Sequence, residues 1–103
     1  MSFPTITLNE LEFYLDQGRD MTVVDLRNRA SYQMGHIKGA VNIPFNEIDD
    51  NLDWLPKDKM LVLYCSRGGQ SLRASRYLST MGYQPVNVAN GITYYRGKYL
   101  ERM

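Results

Sequence analysis

Residues 60–82 read MLVLYCSRGGQSLRASRYLSTMG, and three local signals follow one another in this stretch without a gap. Met60 to Tyr64 is the most apolar run of the chain, which predicts a buried strand. Ser71 to Met81 carries apolar residues at helical spacing and precedes Gly82, a typical helix end. The loop between the strand and the helix begins at the only cysteine, Cys65. A strand, a loop and a helix in direct succession are typical of an α/β fold.

The rest of the chain alternates in the same way. Thr7 and Glu10 have capping-box spacing and begin a predicted helix that ends near Gly18. Strands are predicted for residues 21–26, 39–44 and 85–89, helical turns for 27–33, a short helix from Pro44 to about 50, and a closing helix for 92–103, weakened by Gly97. This alternation predicts a parallel sheet covered by helices on both faces.

Length and charge narrow the class of protein. The 103 residues are enough for one compact domain, 1–103, and too few for two. Twelve basic and eleven acidic side chains give a net charge of +1, so we expect neither nucleic acid nor an anionic membrane as a partner. The N-terminus lacks a basic leader, and no apolar run reaches the roughly 18 residues of a membrane span. We therefore expect a soluble, cytoplasmic protein.

The single cysteine and the single histidine, His36, exclude two kinds of stabilising site. One cysteine cannot form an intramolecular disulfide or a two-cysteine redox pair. A zinc site would have to consist mostly of carboxylates, so we expect no metal.

Cys65 lies where ligands bind in open α/β sheets, beyond the carboxyl end of a strand. Gly68 and Gly69 allow successive N–H groups to turn inward, and the following helix adds its positive N-terminal end. This environment favours a reactive thiolate, whereas a cysteine without such context is more often a small core residue. Arg67 is interpreted either as a solvated loop residue or as the charge that meets an anionic substrate.

Three strings connect the sequence to a known family: VDLR at 24–27, YQMGHIKGAVNIP at 32–44 and YCSRGGQS at 64–71. They resemble the N-terminal signature and the active-site loop of the rhodanese family, in the form found in small bacterial members. The resemblance implies a three-layer α/β fold, with a mostly parallel central sheet of about five strands and helices on both faces. It covers nearly the whole chain.

The resemblance also implies a sulfurtransferase that needs no cofactor. Cys65 would take sulfur from thiosulfate or a similar small donor, hold it as a persulfide, and pass it to a thiol or to cyanide. A protein persulfide donor or acceptor is the other kind of partner that we consider. The loop residues would bind the anionic sulfur through their amides, with added side-chain hydrogen bonds from the last two: Ser66, Arg67, Gly68, Gly69, Gln70 and Ser71.

The signature residues are expected to be structural, namely Asp25, Arg27, Gly35, His36 and Gly39. An unpaired carboxylate inside an apolar strand is costly, so Asp25 should accept hydrogen bonds from backbone amides or from Arg27. His36 suggests a Cys-His dyad, but family members use this histidine structurally.

The chain departs from the family pattern before its last predicted helix. Many members carry paired glycines and a tryptophan there, whereas this chain has Asn90-Gly91 and then Tyr94-Tyr95. Asn tolerates positive φ, so the turn should survive. Tyr94, Tyr95 and Tyr99 are expected to pack against the core.

Two other functions remain open at this stage. A cysteine phosphatase or arsenate reductase would need an arginine six positions after the cysteine to clamp its oxyanion, and this chain has Ser71 there. The other alternative is a carrier or binding module that keeps the fold and receives a persulfide from a protein, without significant turnover of thiosulfate.

Overall fold

The computed structural model describes residues 2–103. Within this range, short strands alternate with three helices and two 3-10 turns. In chain order these are β1 (Thr5–Ile6), α1 (Leu8–Asp16), β2 (Met21–Asp25), α2 (Arg29–Met34), β3 (His36–Ile37), β4 (Val41–Asn42), the 3-10 turns Phe45–Glu47 and Asp49–Asn51, β5 (Met60–Tyr64), α3 (Gly69–Ser79), β6 (Gln84–Val88) and β7 (Leu100–Glu101).

The central sheet has five parallel strands in the order β1-β6-β5-β2-β4. The predicted α/β fold with a mostly parallel sheet of about five strands is therefore confirmed. β2 and β5 lie side by side in the middle, with Asp25 opposite Tyr64 at their carboxyl ends. Because these ends lie at the same edge of the sheet, the chain after Tyr64 emerges beside the chain after Asp25.

Apolar residues cover both faces of the sheet. Val23 and Val62 point to one face, where Leu11 of α1 packs, whereas Val24 and Leu63 point to the other face, where Ala74 and Leu78 of α3 pack. This alternation follows from the two-residue period of a strand. The result is the expected three-layer arrangement. None of the helices in residues 2–103 is both long and apolar enough to cross a membrane.

The capping-box spacing of Thr7 and Glu10 correctly predicted the start of α1. Glu10 N donates to Thr7 Oγ1 at 3.1 Å and Thr7 N donates to Glu10 Oε1 at 3.0 Å, which is the predicted capping box. The predicted helix after Pro44 is replaced by the two 3-10 turns, and β1 was not predicted, since two residues are too short to produce a sequence pattern.

The predicted closing helix over residues 92–103 is wrong. This segment forms turns and then β7, which pairs antiparallel with β3. Its polar groups find distant partners: Tyr95 donates to Glu12 Oε2, Tyr99 donates to Asp16 Oδ1, and Tyr99 O accepts from Lys38 N. These tertiary hydrogen bonds outweigh the weak helical preference of a segment that contains Gly97.

The expectation that all three C-terminal tyrosines pack against the core is only partly correct. Tyr95 is buried and Tyr99 packs partly buried against the core cluster. Tyr94 is 85% exposed, so it is a surface residue.

Candidate active site

The sulfur of Cys65 is surrounded by backbone of the loop that follows it. Gly68 N donates to Sγ at 3.1 Å and Ser71 N donates to Sγ at 3.3 Å. Gly68 reaches this position with φ of 101°, a left-handed conformation that favours glycine, and it forms the N-cap of α3. Cys65 is 3% exposed. The cysteine is thus buried, but two of the six predicted amides are directed at its sulfur.

Among residues 2–103, the other four amides of the predicted set find no protein acceptor. In residues 2–103, the N–H groups of Ser66, Arg67, Gly69 and Gln70 donate no hydrogen bond to backbone or side-chain atoms. Gly69 and Gln70 begin α3, where free N–H groups are expected and carry the positive end of the helix dipole. The loop therefore offers a group of hydrogen-bond donors to an anion beside the sulfur.

The side chains of the loop have different surroundings. Arg67 and Gln70 are exposed, and neither side chain has a hydrogen-bonding partner in the described part of the chain. Ser71 is fully buried, and its Oγ lies 3.5 Å from Sγ, 3.1 Å from Gly68 O and 3.4 Å from Val88 O. Ser71 thus links the sulfur to α3 and to the end of β6.

The buried carboxylate of Asp25 lies next to the start of the loop, because Asp25 is opposite Tyr64 in the sheet. Asp25 is 0% exposed and accepts hydrogen bonds from Arg27 N, Arg27 Nε and Nη2, and the Tyr64 hydroxyl at 2.8 Å. Backbone amide and arginine donors are those that the sequence predicted, whereas the role of Tyr64 was missed. Tyr64 reads as one more apolar residue of a buried strand, so no sequence signal marks its hydroxyl.

The charges of this network stabilise one another. Burial lowers the pKa of Arg27, but the hydrogen bonds and attraction to Asp25 outweigh burial and raise it. Burial, and then the negative charge of Asp25, raise the pKa of Tyr64, so its hydroxyl stays protonated and can donate. The network fixes the end of β5, the strand that immediately precedes Cys65, and within residues 2–103 none of its hydrogen bonds reaches the sulfur.

His36 lies in a structural environment. It is buried, its ring stacks on Tyr32 with centroids 3.8 Å apart, and its Nδ1 donates to Tyr32 O at 2.8 Å. Nε2 lies 3.6 Å from Glu101 Oε1 of β7. No hydrogen bond joins His36 to Cys65 in residues 2–103, so the geometry offers no Cys-His dyad.

The two signature glycines lie in the same region, and they are favoured for different reasons: close packing at Gly35 and a left-handed backbone at Gly39. Gly35 O accepts a hydrogen bond from Arg27 Nη2, and a Cβ at Gly35 would lie 3.2 Å from Leu100 Cδ1. Gly39 has φ of 87° in the turn between β3 and β4. Both positions shape the backbone around β3 rather than the sulfur site.

A second loop holds the backbone of Cys65 and Ser66. Ile92 N donates to Cys65 O at 3.0 Å, and Thr93 donates to Ser66 O from its N at 3.2 Å and from its Oγ1 at 2.6 Å. Gly91 packs so closely against Ser66 that a Cβ added at position 91 would overlap the Ser66 carbonyl. Asn90 and Gly91 have φ of 66° and 70°, so the predicted turn survives. We call residues 90–93 the brace loop; Thr93 was not recognised from sequence, because threonine in a loop carries no distinctive pattern.

Comparisons with known proteins identify the family of the chain. The family model "Rhodanese-like domain" matches residues 7–98. The thiosulfate sulfurtransferase PspE of Escherichia coli is 38% identical over 71 residues, which cover 67% of this chain and 68% of PspE. The putative sulfur carrier protein YrkF of Bacillus subtilis is 29% identical over 98 residues, covering 94% of this chain and 53% of YrkF.

Some of the matching proteins are considerably longer. The chain spans 23% of a probable adenylyltransferase/sulfurtransferase, MoeZ, of Mycobacterium tuberculosis, to which it is 36% identical over 85% of its own length. Among solved structures, a rhodanese-like domain protein from Staphylococcus aureus superposes with a TM-score of 0.89 at 31% identity, covering 98% of this chain and 99% of that one. The match in family model, sequence and structure leads to one conclusion: this chain belongs to the rhodanese-like domain family, several of whose members are sulfurtransferases.

Proposed function

We propose that this protein is a sulfurtransferase that carries sulfane sulfur as a persulfide on Cys65. Its donor is thiosulfate or another small sulfane-sulfur compound, and its acceptor is a thiol or cyanide. The observation that carries the proposal is the set of amides around the sulfur. Gly68 N and Ser71 N already donate to Sγ, which leaves the four free N–H groups of the loop for a further negative atom.

A persulfide supplies that atom. Its outer sulfur lies about 2.05 Å beyond Sγ, at the length of an ordinary S–S bond. The four free N–H groups belong to exposed residues, so they are open to solvent and to an anion that arrives beside the sulfur. The outer sulfur is anionic and takes up these donors, which stabilises the intermediate.

The reaction has two balanced steps. In the first, the Cys65 thiolate attacks the outer sulfur of thiosulfate; an S–S bond forms, and sulfite leaves with the electron pair of the bond that breaks. In the second, the acceptor attacks the outer sulfur of the persulfide, and the Cys65 thiolate leaves. Neither step requires an external oxidant or a metal ion. Arg67, which is an exposed residue of the loop, attracts the anionic donor.

Intact-mass measurement tests the covalent step. After incubation with thiosulfate, wild-type protein should gain one sulfur atom, lose it on addition of cyanide, and release thiocyanate. Cys65→Ser should neither gain mass nor form thiocyanate. Wild-type protein without a mass gain, or equal turnover by Cys65→Ser, would contradict the mechanism.

A matched variant tests the role of Arg67. Arg67→Gln should raise the KM for thiosulfate by about three- to tenfold, because one exposed attractive charge is lost. Arg29→Gln, at the exposed start of α2, is the control and should leave this KM within about twofold.

The alternatives have distinct outcomes. A mass gain that appears only with a protein persulfide donor would favour the carrier module over the enzyme. Hydrolysis of an aryl phosphate that is lost in Cys65→Ser would favour a phosphatase. The phosphatase is the less suitable candidate, because the position six residues after Cys65 is the fully buried Ser71 and supplies no cation.

A further inference from the structure

A cavity between α3 and the two 3-10 turns lies outside the active site. Its volume of about 350 Å³ falls within the range of small-molecule sites. The lining residues on which the argument rests are Phe45, Ile48, Asp49, Arg73, Ala74 and Tyr77. We call it the α3 cavity. It adjoins the depression that Ser66 and Gln70 of the active-site loop line, but Cys65 lines neither of them.

Two opposite charges line the α3 cavity without neutralising each other. Arg73 belongs to α3 and Asp49 to the second 3-10 turn, and both residues are exposed. Neither forms an ion pair within residues 2–103. Both charges are therefore available to a ligand that carries an anionic and a cationic group of its own.

An aromatic side chain orients each of these charges. The guanidinium of Arg73 lies over the ring of Phe45, 5.5 Å from its centroid, and Asp49 Oδ1 accepts a hydrogen bond from the Tyr77 hydroxyl at 2.5 Å. A neutral ring and a neutral hydroxyl hold the two groups in place but leave their charges uncompensated. Groups that are already ordered lose less entropy when a ligand binds.

The remaining lining of the α3 cavity is apolar. Ile48 and Ala74 are 6% and 1% exposed, and both belong to the hydrophobic cluster on this face of the sheet. Phe45 packs against the same cluster. An apolar group of a ligand would lose contact with water on these side chains, which favours its binding.

We propose that the α3 cavity binds a free amino acid with an apolar side chain. The carboxylate of the ligand binds Arg73, its ammonium group binds Asp49 Oδ2, and its side chain contacts Ile48 and Ala74. Binding is non-covalent and does not involve Cys65, so this proposal does not depend on the proposed sulfur transfer.

Three ligands with the same aromatic group test the proposal. L-Phenylalanine carries both charges, phenethylamine lacks the carboxylate, and hydrocinnamate lacks the ammonium group. Dissociation constants are measured from the NMR shifts of the Ala74 and Tyr77 amide signals. L-Phenylalanine should bind about two- to fivefold more tightly than either analogue, because each analogue loses one exposed charge pair. Both preferences should weaken as ionic strength rises.

Charge-neutral variants locate the two contacts. Arg73→Gln should abolish the preference over phenethylamine and keep the preference over hydrocinnamate, whereas Asp49→Asn should have the reverse effect. Asn still offers Tyr77 an acceptor at position 49. The controls are Arg76→Gln and Asp50→Asn, which change exposed residues that do not line the cavity and should keep both preferences.

Several outcomes would overturn the proposal. These are the absence of saturable shifts with L-phenylalanine, binding no tighter than that of an analogue, and preferences that survive in both charge-neutral variants. Shifts confined to Ser66 and Gln70 would place the ligand at the active-site loop and also overturn it. Cys65→Ser should bind L-phenylalanine as wild type does, so a failure of the proposed sulfur transfer is distinguishable from a failure of this binding.

Discussion

Two segments of the chain meet at Cys65 and are held in shape by different means. Residues 60–79 form a central strand, a loop and α3, so most of their backbone bonds lie within regular elements. Residues 89–103 contain β7 as their only regular element within the described chain, and they bond to distant groups such as Cys65 O, Glu12 and Asp16.

The two segments therefore have different roles at the active site. The first segment carries the sulfur and the amides that contact it, whereas the second fixes the carbonyls immediately after the sulfur. A loop of glycines would otherwise have many conformations, since glycine loses more backbone entropy on ordering than any other residue. We therefore expect substitutions in the brace loop to alter the reactivity of Cys65 without touching its side chain.

The largest effect is expected for Gly91→Ala. The new Cβ would overlap Ser66 O, and φ of 70° already costs a non-glycine residue about 1–2 kcal/mol. The Ser66 peptide must move, which displaces the amides at Sγ. We expect the free energy of unfolding to fall by more than about 2 kcal/mol and sulfur transfer to fall at least tenfold. Urea unfolding and thiocyanate formation measure the two effects.

Gly18→Ala is the matched control for this variant. Gly18 has nearly the same φ, 64°, but a Cβ there meets nothing within 4 Å. It should therefore show the conformational cost alone and keep full activity. Equal losses of activity in both variants would show that contact with Ser66 is unimportant.

The same two segments explain what the sequence could and could not predict. The strand, the glycine loop and α3 follow from apolar runs, helical spacing and glycine positions that act locally, and the prediction there was correct. The C-terminal segment lacks such signals, because Tyr95 and Tyr99 are held by carboxylates 83 residues away in the chain. Likewise, a hydroxyl such as that of Thr93 becomes informative only when its acceptor is known.

Tyr64→Phe tests the hydrogen bonds that connect the first segment to β2 and β3, the latter being the partner strand of β7. The Tyr64 hydroxyl donates to Asp25 Oδ2 and accepts from Ile37 N, which belongs to the strand that pairs with β7. Its loss leaves a buried amide and a buried carboxylate each short of a partner, so we expect about 1–3 kcal/mol of destabilisation. Urea unfolding provides the measurement.

Tyr83→Phe is the comparison for this tyrosine. The Tyr83 hydroxyl donates at 2.8 Å to Leu52 O, which is a neutral acceptor. Its loss should cost only about 0.5–1.5 kcal/mol. Equal destabilisation by Tyr83→Phe and Tyr64→Phe would show that the buried carboxylate adds nothing to the cost of losing the Tyr64 hydroxyl.

A smaller effect is expected for Thr93→Val. This change keeps the size of the side chain and the backbone hydrogen bond to Ser66 O, and removes only the 2.6 Å hydrogen bond from Oγ1. The loss of about 1 kcal/mol of positioning energy predicts a fall in the alkylation rate of Cys65 by about fivefold. Thr93→Ser, which retains the hydroxyl, should restore the rate. A Thr93→Val protein that reacts at the wild-type rate throughout pH 6 to 9 would show that the Thr93 hydroxyl does not contribute to the brace.

The smallest effect concerns alkaline pH and the contact between the C-terminal segment and α1. Burial, and then the hydrogen bond to Glu12, raise the pKa of Tyr95 to about 12. An unfolded tyrosine has a pKa of about 10, so the folded chain holds this proton more tightly. The stabilisation is complete below pH 10 and is lost as pH rises from 10 to about 12. Other tyrosines also titrate there, so the useful quantity is the difference in unfolding free energy between wild type and Tyr95→Phe, measured with urea from pH 9 upward. That difference should shrink as pH rises, and a constant difference would mean that the Tyr95 proton does not contribute to holding the C-terminal segment on α1.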